Sequence, residues 1–165
     1  MSSAADSTRS ATAAEAKAKL RVFFDADVLI AGSASKTHSL ASYILLQLAE
    51  LTLIEGLICP YVREEAERNL KRKLPQTLPV FKVLLQTALR EVPDPPKASL
   101  SRWAGRADPE DLPVLVAAAM NGCRYLVTFN TKDYHDPPEP LEVVEPGKLV
   151  RRVREHLAEL ADLPS

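Results

Sequence analysis

The sequence predicts an α/β layered fold with a mainly parallel sheet. Two observations lead there. Short apolar runs alternate with segments whose apolar residues recur at helical spacing. The first run, Leu20-Arg21-Val22-Phe23-Phe24, is mostly apolar, which suits a strand covered on both faces at the centre of a parallel sheet. At 165 residues, 46% of them apolar, the chain is long enough to bury a proper core in one domain, and bulk disorder is excluded.

The elements follow in order. Strand one covers about residues 20–25. A helix follows over roughly 37–51, with Leu40, Ile44, Leu45 and Leu48 on one side. Strand two covers about 53–59 and is closed by Pro60. A helix over about 61–73 is stopped by Pro75. The next helix, about 78–89, turns Phe81, Leu84, Leu85 and Ala88 inward. A short strand near 90–92 precedes a proline loop, and a short helix carries Leu100 and Trp103. Asp108-Pro109-Glu110-Asp111 opens a strong helix that runs to Met120 and ends at Asn121-Gly122. Strand four covers about 124–129. Pro137, Pro138 and Pro140 stiffen the loop before an edge strand near 141–144, and the final helix spans about 146–161.

Residues 1–18 are rich in Ala, Ser and Thr without apolar periodicity, so they are expected to form a flexible or weakly helical tail. A single domain then fills 19–165. The net charge of −1 gives no global pull on nucleic acid, so any such partner needs a local basic patch. Cys59 and Cys123 fit neither a zinc spacing nor a disulfide framework, which points to a reducing, cytoplasmic setting. No apolar run is long enough to span a membrane.

Acidic and polar side chains recur where chemistry gathers in such folds, at the carboxyl ends of strands. Asp25 and Asp27 follow strand one. Glu65 borders the Val62, Ala66, Leu70 stripe of its helix. Asp108 and Asp111 open the helix before strand four, and Asn130 and Asp133 follow that strand. Gathered carboxylates either share protons or bind hard cations such as Mg²⁺ or Mn²⁺, and such ions suit phosphodiester hydrolysis. Each residue also has a plainer role. Asp25 could form a turn, and Asp27 is read as a local backbone support. Glu65 alone is an ordinary helical glutamate. Asp108 fits an N-cap, and Asp111 serves equally as a capping-box acid or as a ligand. Asn130 could cap the short helix after it. The signal lies in the set.

Four segments together resemble the PIN-domain ribonucleases, in the branch described as toxins of toxin–antitoxin pairs. They are Val22-Phe23-Phe24-Asp25-Ala26-Asp27-Val28-Leu29-Ile30-Ala31, the helix bearing Glu65 before Asn69-Leu70, Asp108-Pro109-Glu110-Asp111-Leu112-Pro113-Val114-Leu115, and Tyr125-Leu126-Val127-Thr128-Phe129-Asn130-Thr131-Lys132-Asp133-Tyr134. The resemblance spans about residues 22–144. It implies a three-layer α/β/α sandwich, an acidic pocket holding Mg²⁺ or Mn²⁺, and cleavage of single-stranded RNA. Carried over, Asp25, Glu65 and Asp111 would be catalytic metal ligands, Asn130 would complete the catalytic set, and Thr128 would shape the fourth motif against the substrate. Many relatives carry Asp at the position of Asn130. Here Asp133 or Asp27 would have to restore that charge, with Asp133 as the further metal ligand. The branch also implies an antitoxin protein as partner and allows a homodimer.

RNA would need cations beside this pocket. One cluster holds Arg63, Arg68, Lys71, Arg72 and Lys73, with Arg63 and Arg68 nearest Glu65. A second holds Arg151, Arg152 and Arg154, which reads better as a solvated helix face. Aromatics are few, so strong base stacking is not expected. The ordered acidic set supports a metal-dependent ribonuclease first. A degenerate, non-catalytic PIN domain that binds RNA or protein is the alternative, kept open by Asn130. A haloacid-dehalogenase-type phosphatase using Asp25 and Asp27 ranks below both. That family places Thr or Val where this chain has Leu29, and Ser or Thr where it has Cys59-Pro60.

Overall fold

The computed structural model describes residues 19–162 apart from Lys36, so the tail expected over 1–18 lies outside the described residues. Five strands, β1 (Arg21–Phe24), β2 (Glu55–Ile58), β3 (Leu89–Glu91), β4 (Tyr125–Val127) and β5 (Glu142–Val144), form one sheet in the order β3-β2-β1-β4-β5. Every pairing is parallel. The helices are α1 (Ala26–Ala34), α2 (Leu40–Glu50), α3 (Pro60–Lys73), α4 (Leu78–Thr87), α5 (Lys97–Arg102), α6 (Leu112–Met120) and α7 (Pro146–Ala161), with short 3₁₀ turns at Pro75–Thr77 and Thr131–Asp133. The result is the expected three-layer α/β/α sandwich.

β1 sits at the centre because it can. Val22, Phe23 and Phe24 are fully buried, and its neighbours contribute Leu57, Ile58, Leu126 and Val127. Each such side chain gains roughly 1.5–3 kcal/mol on leaving water. The chain steps from β1 to β2 to β3 on one side, then returns to β4 on the other. Right-handed crossovers in opposite directions cover opposite faces. A crevice therefore opens between β1 and β4 at their carboxyl ends.

Helix α1 is the element that periodicity does not reveal. It begins immediately after β1, and Asp25 caps it by accepting a hydrogen bond from Ala26 N at 2.8 Å. It packs against α2, α3 and α4. A helix enclosed on several sides is apolar around most of its surface, and the helical period vanishes from its sequence. Gly32 lets α1 and α2 cross closely: a Cβ there would lie 2.6 Å from Leu46 Cδ1 and 3.0 Å from the Ser42 carbonyl oxygen. A second difference concerns α6, which starts at Leu112, so Asp108 to Asp111 form a turn ahead of it. Cys59 and Cys123 are buried free thiols, both pushed up to about 12 chiefly by burial and hence unreactive at neutral pH. Among the described residues no helix is long and apolar enough to cross a membrane.

Candidate active site

The site grows from the register of β1 and β4. Phe24 pairs with Val127, so the next residues, Asp25 and Thr128, leave the sheet side by side. Asp25 N donates to the Val127 carbonyl at 3.0 Å, continuing the ladder one step. The Asp25 side chain is 7% exposed and accepts three hydrogen bonds. Oδ1 takes Ala26 N, and Oδ2 takes Thr128 Oγ1 at 3.0 Å and Tyr134 Oη at 2.8 Å. Burial still raises its pKa above the usual carboxylate range, against the lowering effect of Tyr134, Ala26 and Thr128.

Asp27 stands in the first turn of α1 and ties it to the loop after β4. Its Oδ2 accepts Phe129 N at 3.0 Å and Asn130 Nδ2 at 3.2 Å, with Thr128 Oγ1 at 3.4 Å. Oδ1 is buried without a partner among the described residues. Burial, and then Asp25, push this carboxyl up to about 6. Asn130 thus directs its amide to Asp27. It makes no side-chain cap to the 3₁₀ turn that follows. An Asp at this position would face Asp27 with like charge.

The other acids close in from two sides. Asp111 precedes α6 and makes no side-chain cap there, so its carboxylate is free for the site. It is pushed up to about 7, first by burial, then by Asp25, Asp133, Asp108 and Glu65. Glu65, half-buried on α3, is raised by burial and by Asp25, while Arg68 pulls it down. Tyr61 fastens the two segments together: its hydroxyl donates to the Glu110 carbonyl at 2.6 Å, one residue before Asp111. Asp108, Asp111 and Asp133 each place a carboxylate oxygen within 4.8 Å of the others'. Backbone bonds fix that group, since Asp108 N donates to the Asp133 carbonyl at 2.8 Å and Ala107 bridges Tyr134. His135 Nε2 lies 2.8 Å from Asp108 Oδ1 and holds that acid from its other side.

An all-oxygen donor set of crowded carboxylates fits a hard divalent cation. Asp25 bears on the ionisation of Glu65 and Asp111, and Asp133 on that of Asp25 and Asp111, so these acids lie near one another. The expected substrate residues are placed differently from one another. Thr128 is fully buried behind Asp25. Arg63 is held by Glu91 at 2.6 Å and Glu67 at 3.6 Å. Arg68 is exposed and has no ion pair among the described residues. Sequence reasoning gave no role to Tyr61, Tyr134 or His135, and read Asp108 within the acidic set as an N-cap. Tyr134 ends the fourth motif, but no spacing rule says that a phenol there reaches Asp25.

A model of the PIN-domain family matches residues 21–132. The chain belongs to the PIN-domain family. The match covers all four acidic segments except the last two residues of the fourth, Asp133 and Tyr134. Among solved structures, this PIN domain is similar to a chain of the crystal structure of VapBC2 from Rickettsia felis bound to a DNA fragment from their promoter. The TM-score is 0.56 at 17% identity, covering 75% of this chain and 98% of that one. At that identity the likeness is one of fold. A search of the curated proteins finds no match.

Proposed function

We propose that this PIN domain is a metal-dependent endoribonuclease that hydrolyses phosphodiester bonds of single-stranded RNA. The gathering of Asp25, Glu65 and Asp111 at the carboxyl ends of β1 and β4, with Asp133 beside them, carries this reading. Asp25, Glu65, Asp111 and Asp133 would hold Mg²⁺ or Mn²⁺. A bound cation supplies positive charge to the scissile phosphate and makes water a better nucleophile near neutral pH. The chain's own residues do the rest. Thr128 and Tyr134 keep Asp25 in place, and Asn130 satisfies Asp27. Tyr61 holds α3 against the Asp111 turn. Arg68 is the cation best placed to meet a neighbouring phosphate, because Arg63 is already engaged by two glutamates.

Purified protein should cleave single-stranded RNA with Mn²⁺ present, and Asp25→Asn should abolish the cleavage. RNA binding that persists without cleavage in either protein would favour the non-catalytic alternative. The family and the VapBC2 complex among its structural neighbours also support a toxin role with a small antitoxin protein as partner. Expression should then arrest growth, and co-expression of the product of a neighbouring small gene should relieve it. Light scattering of the purified chain decides whether two copies associate.

A further inference from the structure

We propose that Tyr134 is the positioning residue for Asp25, fixing which carboxylate oxygen the site presents to a divalent cation; this rests on the metal-dependent reading above. A carboxylate oxygen offers about two acceptor directions. Two donors approach Asp25 Oδ2, Tyr134 Oη at 2.8 Å and Thr128 Oγ1 at 3.0 Å. Among the described residues Oδ1 accepts from Ala26 N alone, at 2.8 Å, and keeps one direction open. Oδ1 is therefore the oxygen of Asp25 left freer for a cation.

Of the two donors to Oδ2, Tyr134 is the committed one. The single hydroxyl proton of Thr128 lies within reach of both Asp25 Oδ2 and Asp27 Oδ2, at 3.0 and 3.4 Å, and can serve one at a time. Tyr134 is 6% exposed, and among the described residues its hydroxyl bonds Asp25 only. Its backbone is fixed as well. Tyr134 N donates to the Thr131 carbonyl, and the residue bridges Ala107, next to Asp108. One side chain thus links the acid of β1 to the segment that carries Asp133 and to the one that carries Asp108. Hydrogen-bonded partners of ligand carboxylates commonly set metal affinity by ~10–100-fold.

The test compares Mn²⁺ binding by calorimetry for the wild type, Tyr134→Phe and Asp25→Asn, with metal-free thermal melting as the control for folding. Tyr134→Phe should bind Mn²⁺ ~10-fold more weakly, should melt within a few degrees of the wild type without metal, and should recover its cleavage rate as Mn²⁺ is raised. A dissociation constant within about twofold of the wild type, while Asp25→Asn loses binding, overturns the role of Tyr134 and leaves the metal site standing. Wild-type protein that takes up no Mn²⁺ overturns both. Should Tyr134→Phe melt far below the wild type, the same titration at a temperature where that variant is still fully folded decides: an affinity within about twofold of the wild type there overturns the role of Tyr134, and a ~10-fold loss sustains it.

Discussion

The two ends of strand β1 carry opposite solutions to the same problem. At its N-terminal end Arg21 bonds Glu55 at 2.9 Å, and Arg90 takes the other oxygen of Glu55 at 2.8 Å. Nearby, Arg152 pairs with Glu142. At the C-terminal end Asp25, Glu65 and Asp111 lie together with no arginine or lysine bonded to them among the described residues, and all three are harder to ionise than usual. A groove walled by Leu48, Leu53 and Leu157 lies at the compensated end. That groove and the carboxylate cluster therefore occupy opposite ends of the strand. Partly buried charge at a strand end marks a candidate site by its chemistry, whatever the cleft.

The largest effect should come from removing one carboxylate at each end. Asp25→Asn is expected to lower Mn²⁺-dependent RNA cleavage by ~100-fold or more, beyond what loss of a supporting residue around a metal brings. Glu55→Gln should leave the rate within about twofold, because its partners are arginines remote from the crevice. Equal losses in both variants would break the contrast between the two ends.

Metal should act on one end alone. A cation that binds only the folded protein stabilises it by about 2.7 kcal/mol at a hundred times its dissociation constant, which corresponds to roughly 5–10 °C in Tm for a chain of this size. Differential scanning calorimetry with and without Mn²⁺ measures it. Asp25→Asn should shrink the increment sharply, and Glu55→Gln should leave it whole.

Proton uptake tests the same crowding without metal. Asp111, at about 7 in the folded protein, would titrate at about 3.9 in an unfolded chain. Between these values the folded protein holds a proton that the unfolded chain has lost, so stability falls as pH rises through that window. Asp27, at about 6, acts in the same direction. Metal-free protein should melt lower at pH 7.5 than at pH 5. Asp111→Asn should raise the melting temperature at pH 7.5 by about 2–4 °C, on the order of 1 kcal/mol once solvent screening is allowed for, and should change little near pH 4.

Much of this was legible in the chain. The alternation of strands and helices, the parallel sheet and the position of Asp25 follow from burial pattern alone, because a central strand such as Val22-Phe23-Phe24 needs apolar residues on both faces. Helix α1 was not legible, because three neighbouring helices erase its polar face. The convergence of the acids came partly through family resemblance, since Glu65 by itself looks like any helical glutamate. The bonds from Tyr134 to Asp25 and from Asn130 to Asp27 span 109 and 103 residues, and no local pattern encodes contacts of that range. For Asp111, cap and ligand were equally open from the sequence. The cap reading falls away, since α6 begins without using its side chain.

The smallest effect is also the sharpest comparison, because one chemical change should have opposite signs at the two ends. Glu55→Gln removes a charge that two arginines share, both about half exposed. Exposed pairs contribute little, so the loss should be about 0.5–1 kcal/mol and should shrink as salt screens the pairs. Glu65→Gln removes a charge that burial and Asp25 disfavour. Metal-free, it should melt slightly above the wild type at pH 7.5, and the gain should disappear in acid, where Glu65 is already protonated. Arg68 works against this gain, since it is the one nearby cation that favours the ionised form. Combining Glu65→Gln with Arg68→Ala should therefore give no larger gain over Arg68→Ala alone only if that cation is idle. A larger gain shows that Arg68 partly neutralises Glu65.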